Sequence, residues 1–272
     1  MSSMGSRKFG WKTFILGGVA GFVLFAGLSG IVVYETMPDV QVLRNSYPIV
    51  RYQGPDQPPA VSIQKNRPLG WSTITEISPH AVQAIVISED WAFYQHHGFD
   101  MNQIREAIQE DWDRKSFARG ASTITQQVVR NVFLTKDKNI WRKAKELYLA
   151  VRRDETVGKR KVLETYLNIA EWGPGIFGIH AAATYYFQKK PSELSAKEGA
   201  FLAMLLPSPI RYGQSFKKHS LTDYASETIL SILEKMEQAH YLSEEEKSAE
   251  WNRPLPFEQT ETPPPPSVSG AI

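Results

Sequence analysis

Three stretches of the sequence combine residue types that could do chemistry. The first is Ser88-Glu89-Asp90-Trp91-Ala92-Phe93-Tyr94-Gln95-His96-His97-Gly98, two adjacent carboxylates among aromatic rings. A carboxylate set against apolar rings loses hydration, which disfavours its charged form and prepares it to take a proton. The same stretch also reads as a helix C-terminus with Gly98 as a left-handed cap and the rings as core. A zinc site fits poorly: His96 and His97 are adjacent, so a helix points them to different faces, and there is no HExxH pattern. The second stretch is Gly120-Ala121-Ser122-Thr123-Ile124-Thr125-Gln126-Gln127, followed by Arg130-Asn131. Hydroxyls and amides opening a helix offer free backbone N–H groups and neutral donors, which suit phosphate or sugar. A polar N-cap alone would look the same. The third is Arg142-Lys143-Ala144-Lys145-Glu146. Arg142 and Glu146 stand at i and i+4, which by itself is a surface ion pair. A functional role requires the fold to bring Glu146 near Glu89.

Serine chemistry is not supported. Ser62-Ile63-Gln64-Lys65 and Ser215-Phe216-Lys217-Lys218 match the Ser-x-x-Lys pattern of penicillin-binding serine sites, but no Lys-Thr-Gly partner occurs, so both read as chance. There is no cysteine among the 272 residues, which removes disulfides, thiolate metal sites and a thiol nucleophile together. With 31 Lys+Arg against 29 Asp+Glu the net charge is +2, too small for a chain held to nucleic acid by bulk charge. Hydrophobic residues make up 42% and exclude a mostly disordered polymer.

The elements that must position these residues are mostly helical. Ser78-Pro79 predicts a helix start, and the helix delivers Glu89 and Asp90 near its end. Asp100 with Gln103 is a capping-box pattern. Helical periodicity recurs near 122–134, 140–153, 158–171 and 178–188, and an amphipathic pattern covers roughly 221–240. Ser195-Ala196-Lys197-Glu198 is another capping box; the apolar run it opens is too short to span a bilayer and reads as a buried core helix. Strand alternation is scarce, so a mainly α fold is expected. Charge is uneven along the chain. Between Arg114 and Lys161 there are 14 Lys/Arg against 4 Asp/Glu, a local excess of ten. An anionic ligand at a bilayer surface, such as a headgroup or a lipid pyrophosphate, suits that excess.

Residues 13–34 carry no charge. As a helix they would rise roughly 33 Å, enough to cross a hydrocarbon core. Arg7, Lys8 and Lys12 precede the run, so residues 1–12 are expected in the cytoplasm and the rest outside. The run is longer than the apolar core of a signal peptide, and an uncleaved anchor is the reading it favours. The expected organisation is a span at 13–34, a linker with short extended pieces at 35–64, a catalytic domain at 65–242 and a polar, Pro-rich tail at 243–272.

Taken in order, five motifs resemble one family. They are Glu89-Asp90-x-x-Phe93-x-x-His96-x-Gly98, Gly120-x-Ser122-Thr123-Ile124-Thr125-Gln126-Gln127, Arg142-Lys143-x-x-Glu146, Leu163-Glu164-x-Tyr166-Leu167-Asn168 and Gly175-x-x-Gly178-x-x-Ala181-Ala182. The chain is similar over roughly residues 65–240 to the peptidoglycan glycosyltransferases of glycosyltransferase family 51. No transpeptidase domain is expected after residue 240, which selects the monofunctional type. The resemblance implies a lysozyme-like helical head and a smaller membrane-apposed jaw. It implies polymerisation of lipid II into a β-1,4 glycan with release of undecaprenyl pyrophosphate. It implies Glu89 as the base on the acceptor 4-hydroxyl, and Glu146 near the donor pyrophosphate, either orienting a basic residue or holding a divalent cation (Mg2+ or Mn2+). Ser122, Thr123, Gln127, Arg130 and Asn131 would line the donor site, Lys138 and Arg142 would neutralise the leaving group, and Asp90, Phe93 and His96 would shape the substrate site around Glu89. Many members carry Lys where this chain has Arg130; charge is kept but the planar guanidinium contacts phosphate differently. Expected partners are lipid II, the growing glycan, the bilayer and other cell-wall synthesis proteins, with no nucleic acid and no organic cofactor. A lytic peptidoglycan-cleaving enzyme and a non-catalytic scaffold are the competing readings.

Overall fold

A computed structural model describes residues 37–55, 57–101, 122–134 and 140–258, with positions 17, 21 and 105. The chain divides into two units, Met1–Asp39 and Val40–Ile272. Among the described residues no helix is long and apolar enough to cross a membrane. The expected span at 13–34 lies outside them apart from positions 17 and 21, as do Lys138, Gln103 and the Pro-rich end of the chain.

The second unit is mainly helical, as its periodicity predicts. It opens with the antiparallel pair β1 (Tyr47–Arg51) and β2 (Ala60–Gln64), Tyr47 opposite Gln64. These strands are the extended pieces of the expected linker. Val40 and Leu43 before them are buried, so the packed unit extends N-terminal of residue 65. Helix α1 (Pro79–Glu89) starts on proline, whose fixed φ suits the first turn and whose missing N–H is an orphan there anyway. Ser78 holds the N-cap position without a side-chain cap bond; its backbone N–H donates to the Pro191 carbonyl at 3.0 Å. Helix α2 (Ile124–Phe133) carries a full capping box: Thr123 Oγ1 accepts from the Gln126 N–H, and Gln126 Oε1 accepts from the Thr123 N–H. Helices α3 (Ile140–Val157) and α4 (Lys159–Ile169) meet at Gly158, and a short hairpin comes next, β3 (Glu171–Gly173) with β4 (Ile176–Phe177).

Helix α5 (Ile179–Phe187) leads to α6 (Ala196–Leu205), every residue of which is buried. Most of it is apolar, and its two buried charges, Lys197 and Glu198, have hydrogen-bond partners. Helix α6 packs against α1, and the contact is close: a side chain at Gly199 would come within 2.5 Å of Ala81 Cα. Two short helices, α7 (Pro209–Tyr212) and α8 (Gln214–Lys217), precede α9 (Asp223–Gln238), which lays Ala225, Ile229, Ile232, Leu233 and Met236 on α1 and α6. These residues stand at helical spacing, the predicted amphipathic stripe.

The C-terminal boundary differs from the expected one. Residues 243–258, expected as polar tail, form helix α10 (Glu244–Asn252) and a docked turn. Ser243 and Glu246 make a capping box that starts the helix, and the acidic first turn suits its N-terminus. Lys197, buried on α6, donates through Nζ to the carbonyls of Trp251 and Arg253, both at 2.7 Å. Phe257 enters an aromatic cluster with Phe187, Phe201 and Phe216.

A glycine also fixes the approach to the site. Gly98 has φ +80°, and a Cβ there would lie 2.5 Å from the Ala150 carbonyl oxygen on α3. Both the left-handed backbone and the close approach exclude a side chain. Gly98→Ala should lower stability by about 3 kcal/mol, combining left-handed strain with overpacking. Thermal unfolding should show a melting temperature about 6–12 °C lower. An unchanged transition would mean that the 91–98 turn does not press on α3.

Candidate active site

The end of α1, the start of α2, the middle of α3 and the middle of α4 converge on two carboxylates. Glu89 is the last residue of α1 and is half-buried. Its Oε2 accepts from Gln127 Nε2 at 2.8 Å and from the Tyr166 hydroxyl at 3.3 Å. The same hydroxyl is 3.3 Å from Gln127 Oε1. Burial pushes the Glu89 carboxyl above the usual carboxylate range, with the Asp90 charge adding to it; the bonds from Gln127 and Tyr166 and the Arg130 charge act the other way. A carboxylate raised in this way is more basic than an exposed one, which is what a general base needs.

The second carboxylate is Glu146 on α3, whose side chain is 1% exposed. Arg142 Nη1 donates to its Oε2 at 2.6 Å and Lys143 Nζ to its Oε1 at 2.7 Å. Lys143 Nζ also donates to Ser122 Oγ at 3.0 Å. This is more than a surface pair: one buried acid fixes two cations, and a hydroxyl beside the α2 N-cap joins them. Both oxygens of Glu146 are taken by cations, and among the described residues no three His, Cys, Asp or Glu side chains gather as metal ligands. A divalent cation needs several oxygen ligands free of competing positive charge. The donor set at Glu146 therefore does not fit one.

Helix α2 links the two carboxylates. Its N-cap end carries Ser122 to the Glu146 cluster, and Gln127 reaches Glu89 from four residues past the cap, a rise of about 6 Å. Arg130 stands one turn further, half-buried and close enough to act on Glu89; Asn131 is exposed. Asp90 locks the N-terminus of this rod. It is buried, its Oδ2 accepts from the Ile124 N–H at 2.9 Å, and its Oδ1 pairs with His96 Nε2 at 2.9 Å. A carboxylate at a helix start is favoured by the exposed N–H groups and the dipole. Thr123 Oγ1 donates to the Gly98 carbonyl at 2.7 Å and ties the 91–98 turn to the same point. Asp90→Ala should cost about 2–4 kcal/mol, since it strands a helix-start N–H and the His96 ring together. Chemical denaturation should show the loss, and a variant as stable as the parent would refute this role.

The fold reassigns several expected roles. Asp90, Phe93 and Thr123 are fully enclosed, and Thr123, expected to line the donor site, serves as the α2 N-cap. The rings next to Glu89 do not desolvate it as a group. Phe93 is in the core, but Trp91 and Tyr94 are 58% and 62% exposed, because the chain leaves α1 at Asp90 and the turn points them outward. The side chains that meet the Glu89 carboxylate are Gln127 and Tyr166 instead. Residue order alone gives Tyr166 and Lys143 no role beyond membership of a motif. A signal for Tyr166 does exist: a tyrosine inside the buried stripe Val162, Leu163, Tyr166, Leu167 must find an acceptor for its hydroxyl. The neighbours in that motif are structural. Glu164 accepts from Trp71 Nε1 at 3.0 Å and Lys161 Nζ at 2.9 Å, and Asn168 exchanges two 2.8 Å bonds with the Ser72 backbone.

The family model described as Transglycosylase matches residues 58–237. The chain belongs to the transglycosylase family. The ordered motifs and this match agree on the peptidoglycan glycosyltransferases. Relatives named "Biosynthetic peptidoglycan transglycosylase" include one from Shewanella denitrificans, 43% identical over 58% of this chain and 67% of its own length. One from Shewanella frigidimarina is 40% identical over 63% of this chain and 76% of its own. One from Nitrosomonas eutropha is 39% identical over 57% and 62% respectively, so the chain spans under two thirds of that relative. The crystal structure of Penicillin-Binding Protein 1A from Haemophilus influenzae aligns with 77% of this chain and 21% of that one, at 18% identity and a TM-score of 0.38, too distant to bear on the fold.

Proposed function

We propose that the chain polymerises lipid II into β-1,4-linked glycan and releases undecaprenyl pyrophosphate. Family membership supports peptidoglycan glycan synthesis, and the observation that carries the finer reading is the pairing of a burial-raised Glu89 with the Arg142–Glu146–Lys143 cluster across one helix. The donor sugar is α-linked to pyrophosphate and the product is β-linked, so the reaction inverts and needs no covalent glycosyl-enzyme. Glu89 takes the proton of the acceptor 4-hydroxyl; that oxygen attacks the donor C1, and the bond from C1 to the pyrophosphate oxygen breaks with its electron pair leaving on the pyrophosphate. Arg142 and Lys143 receive the departing charge. Glu146 orients that basic pair, the role its donor set fits. Ser122, Gln127, Arg130 and Asn131, on or beside α2, would hold the donor; a part for Lys138 in receiving its charge rests on the resemblance alone, since that residue lies outside the described ones.

The finer architecture, a lysozyme-like head with a membrane-apposed jaw, belongs to this reading, as does a single N-terminal span at 13–34 that keeps the site on the outer side of the cytoplasmic membrane. A lipid-linked substrate calls for a catalytic unit held at the bilayer. Incubation with lipid II and, separately, with finished glycan tests the proposal. Lipid II consumption with glycan growth is expected. Glycan shortening with lipid II untouched would assign a lytic enzyme instead.

A further inference from the structure

We propose that Tyr166 is a positioning residue for Glu89, holding Oε2 so that the other carboxyl oxygen is presented to the acceptor hydroxyl. This rests on the reading of Glu89 as the base. Both hydrogen bonds to Glu89 fall on Oε2, from Gln127 Nε2 and from Tyr166. Among the described residues Oε1 accepts none. One oxygen is anchored and the other is open to a proton.

The hydroxyl has a second acceptor at equal distance, Gln127 Oε1 at 3.3 Å. Tyrosine has one hydrogen to give. While Glu89 is ionised, that hydrogen favours the carboxylate, because a bond to a charged acceptor is the stronger one. Once Oε1 has taken a proton, Oε2 is a weaker acceptor and the hydroxyl can turn to Gln127 without any heavy atom moving. The anchor is thus tighter for the state that must accept the proton and looser for the state that must release it. Tyr166 is suited to this task by its surroundings. It is fully buried on α4, and burial together with the Glu89 charge pushes its own ionisation far up, so it stays a donor.

Among the described residues, the titratable and charged groups that act on Glu89 are Asp90 beside it, Arg130 from α2 and Tyr166 from α4. Helices α6 and α9 also pack on α1. The buried charges of α6 are engaged elsewhere, Lys197 with the Trp251 and Arg253 carbonyls and Glu198 with Lys189. The buried residues of α9 are apolar.

The test is the pH dependence of kcat/KM for lipid II polymerisation in the full chain. Four proteins are compared: the parent, Tyr166→Phe, a protein with 3-fluorotyrosine placed at position 166, and Glu89→Gln as control. Tyr166→Phe should move the acidic limb up by about one pH unit and lower kcat about 10-fold with KM little changed. The fluorinated residue keeps the ring and is a stronger donor, so the limb should move down. A residue that merely fills space would move neither limb. An acidic limb that stays in place in both proteins therefore overturns the inference. Should Tyr166→Phe not fold, the fluorinated protein decides alone. Glu89→Gln polymerising at the parental rate would remove the base reading itself, an outcome distinct from an unmoved limb in an enzyme that still depends on Glu89.

Discussion

Glu89→Gln should reduce lipid II polymerisation by about 10^2–10^4-fold, the range lost with a general base. The amide has the size of the carboxyl and can still accept from Gln127 or Tyr166, so the fold should survive. Stability supplies a second readout. The folded protein holds the Glu89 carboxyl above its ordinary value, so folding favours the protonated form. Below the ordinary carboxylate pKa the group is neutral in both states and costs nothing. As pH rises through the window from that ordinary value to the raised folded one, the native state loses stability relative to the unfolded chain. The amide has no such window. Melting temperatures of parent and variant should therefore coincide near pH 4 and diverge in favour of the variant toward neutral pH. A dead but better-folded variant would be a trade of stability for function at one atom pair. Full activity, or a variant that gains no stability over the parent between pH 4 and neutral pH, would refute the picture of a desolvated base.

The second large effect is expected from Glu146→Ala. This side chain is 1% exposed and neutralises two cations at once. Its loss leaves Arg142, 18% exposed, beside Lys143, 49% exposed. Removing one partner of a buried pair costs about 3–5 kcal/mol. Lys143 can turn into water and shed most of its share, so the lower end, about 3 kcal/mol, is the appropriate figure, with Arg142 bearing most of it. The rate should fall about 10^2–10^3-fold, the cost of removing one preorganised electrostatic contact from a reacting group. Glu146→Gln separates the two effects: it keeps the shape and loses the charge, so stability should recover in part while the rate stays low. Measurement well below both melting temperatures removes unfolding from the comparison. A parental rate in Glu146→Ala would show that the basic pair needs no orienting acid.

Much of this arrangement is legible in residue order. Capping boxes at Thr123 and Ser195 and the proline at position 79 set helix starts by local hydrogen bonding and fixed φ, and local rules are what a sequence displays. Glu89, Gln127, Arg142 and Glu146 stand out because their types are unusual at their spacing. The parts that escape depend on contacts distant in the chain. Tyr166 meets Glu89 across 77 positions, and nothing near residue 166 announces the partner. Trp91 and Tyr94 look like walls because they neighbour the carboxylates, whereas the direction of the chain after Asp90 turns them out. Helix α10 looks like tail because Glu244, Glu245 and Glu246 suggest a solvated run; the helix persists because Lys197 and Phe257 fasten the segment that ends it.

That fastening bears on where the molecule can be cut. The family match stops at residue 237, yet Phe257 fills a gap between rings from α5, α6 and α8. A fragment trimmed to the matched region would expose those rings to water and leave the Lys197 ammonium without its two carbonyls, on the helix that supports α1. Anyone shortening this protein for crystals or inhibitor screening should place the cut beyond Glu258.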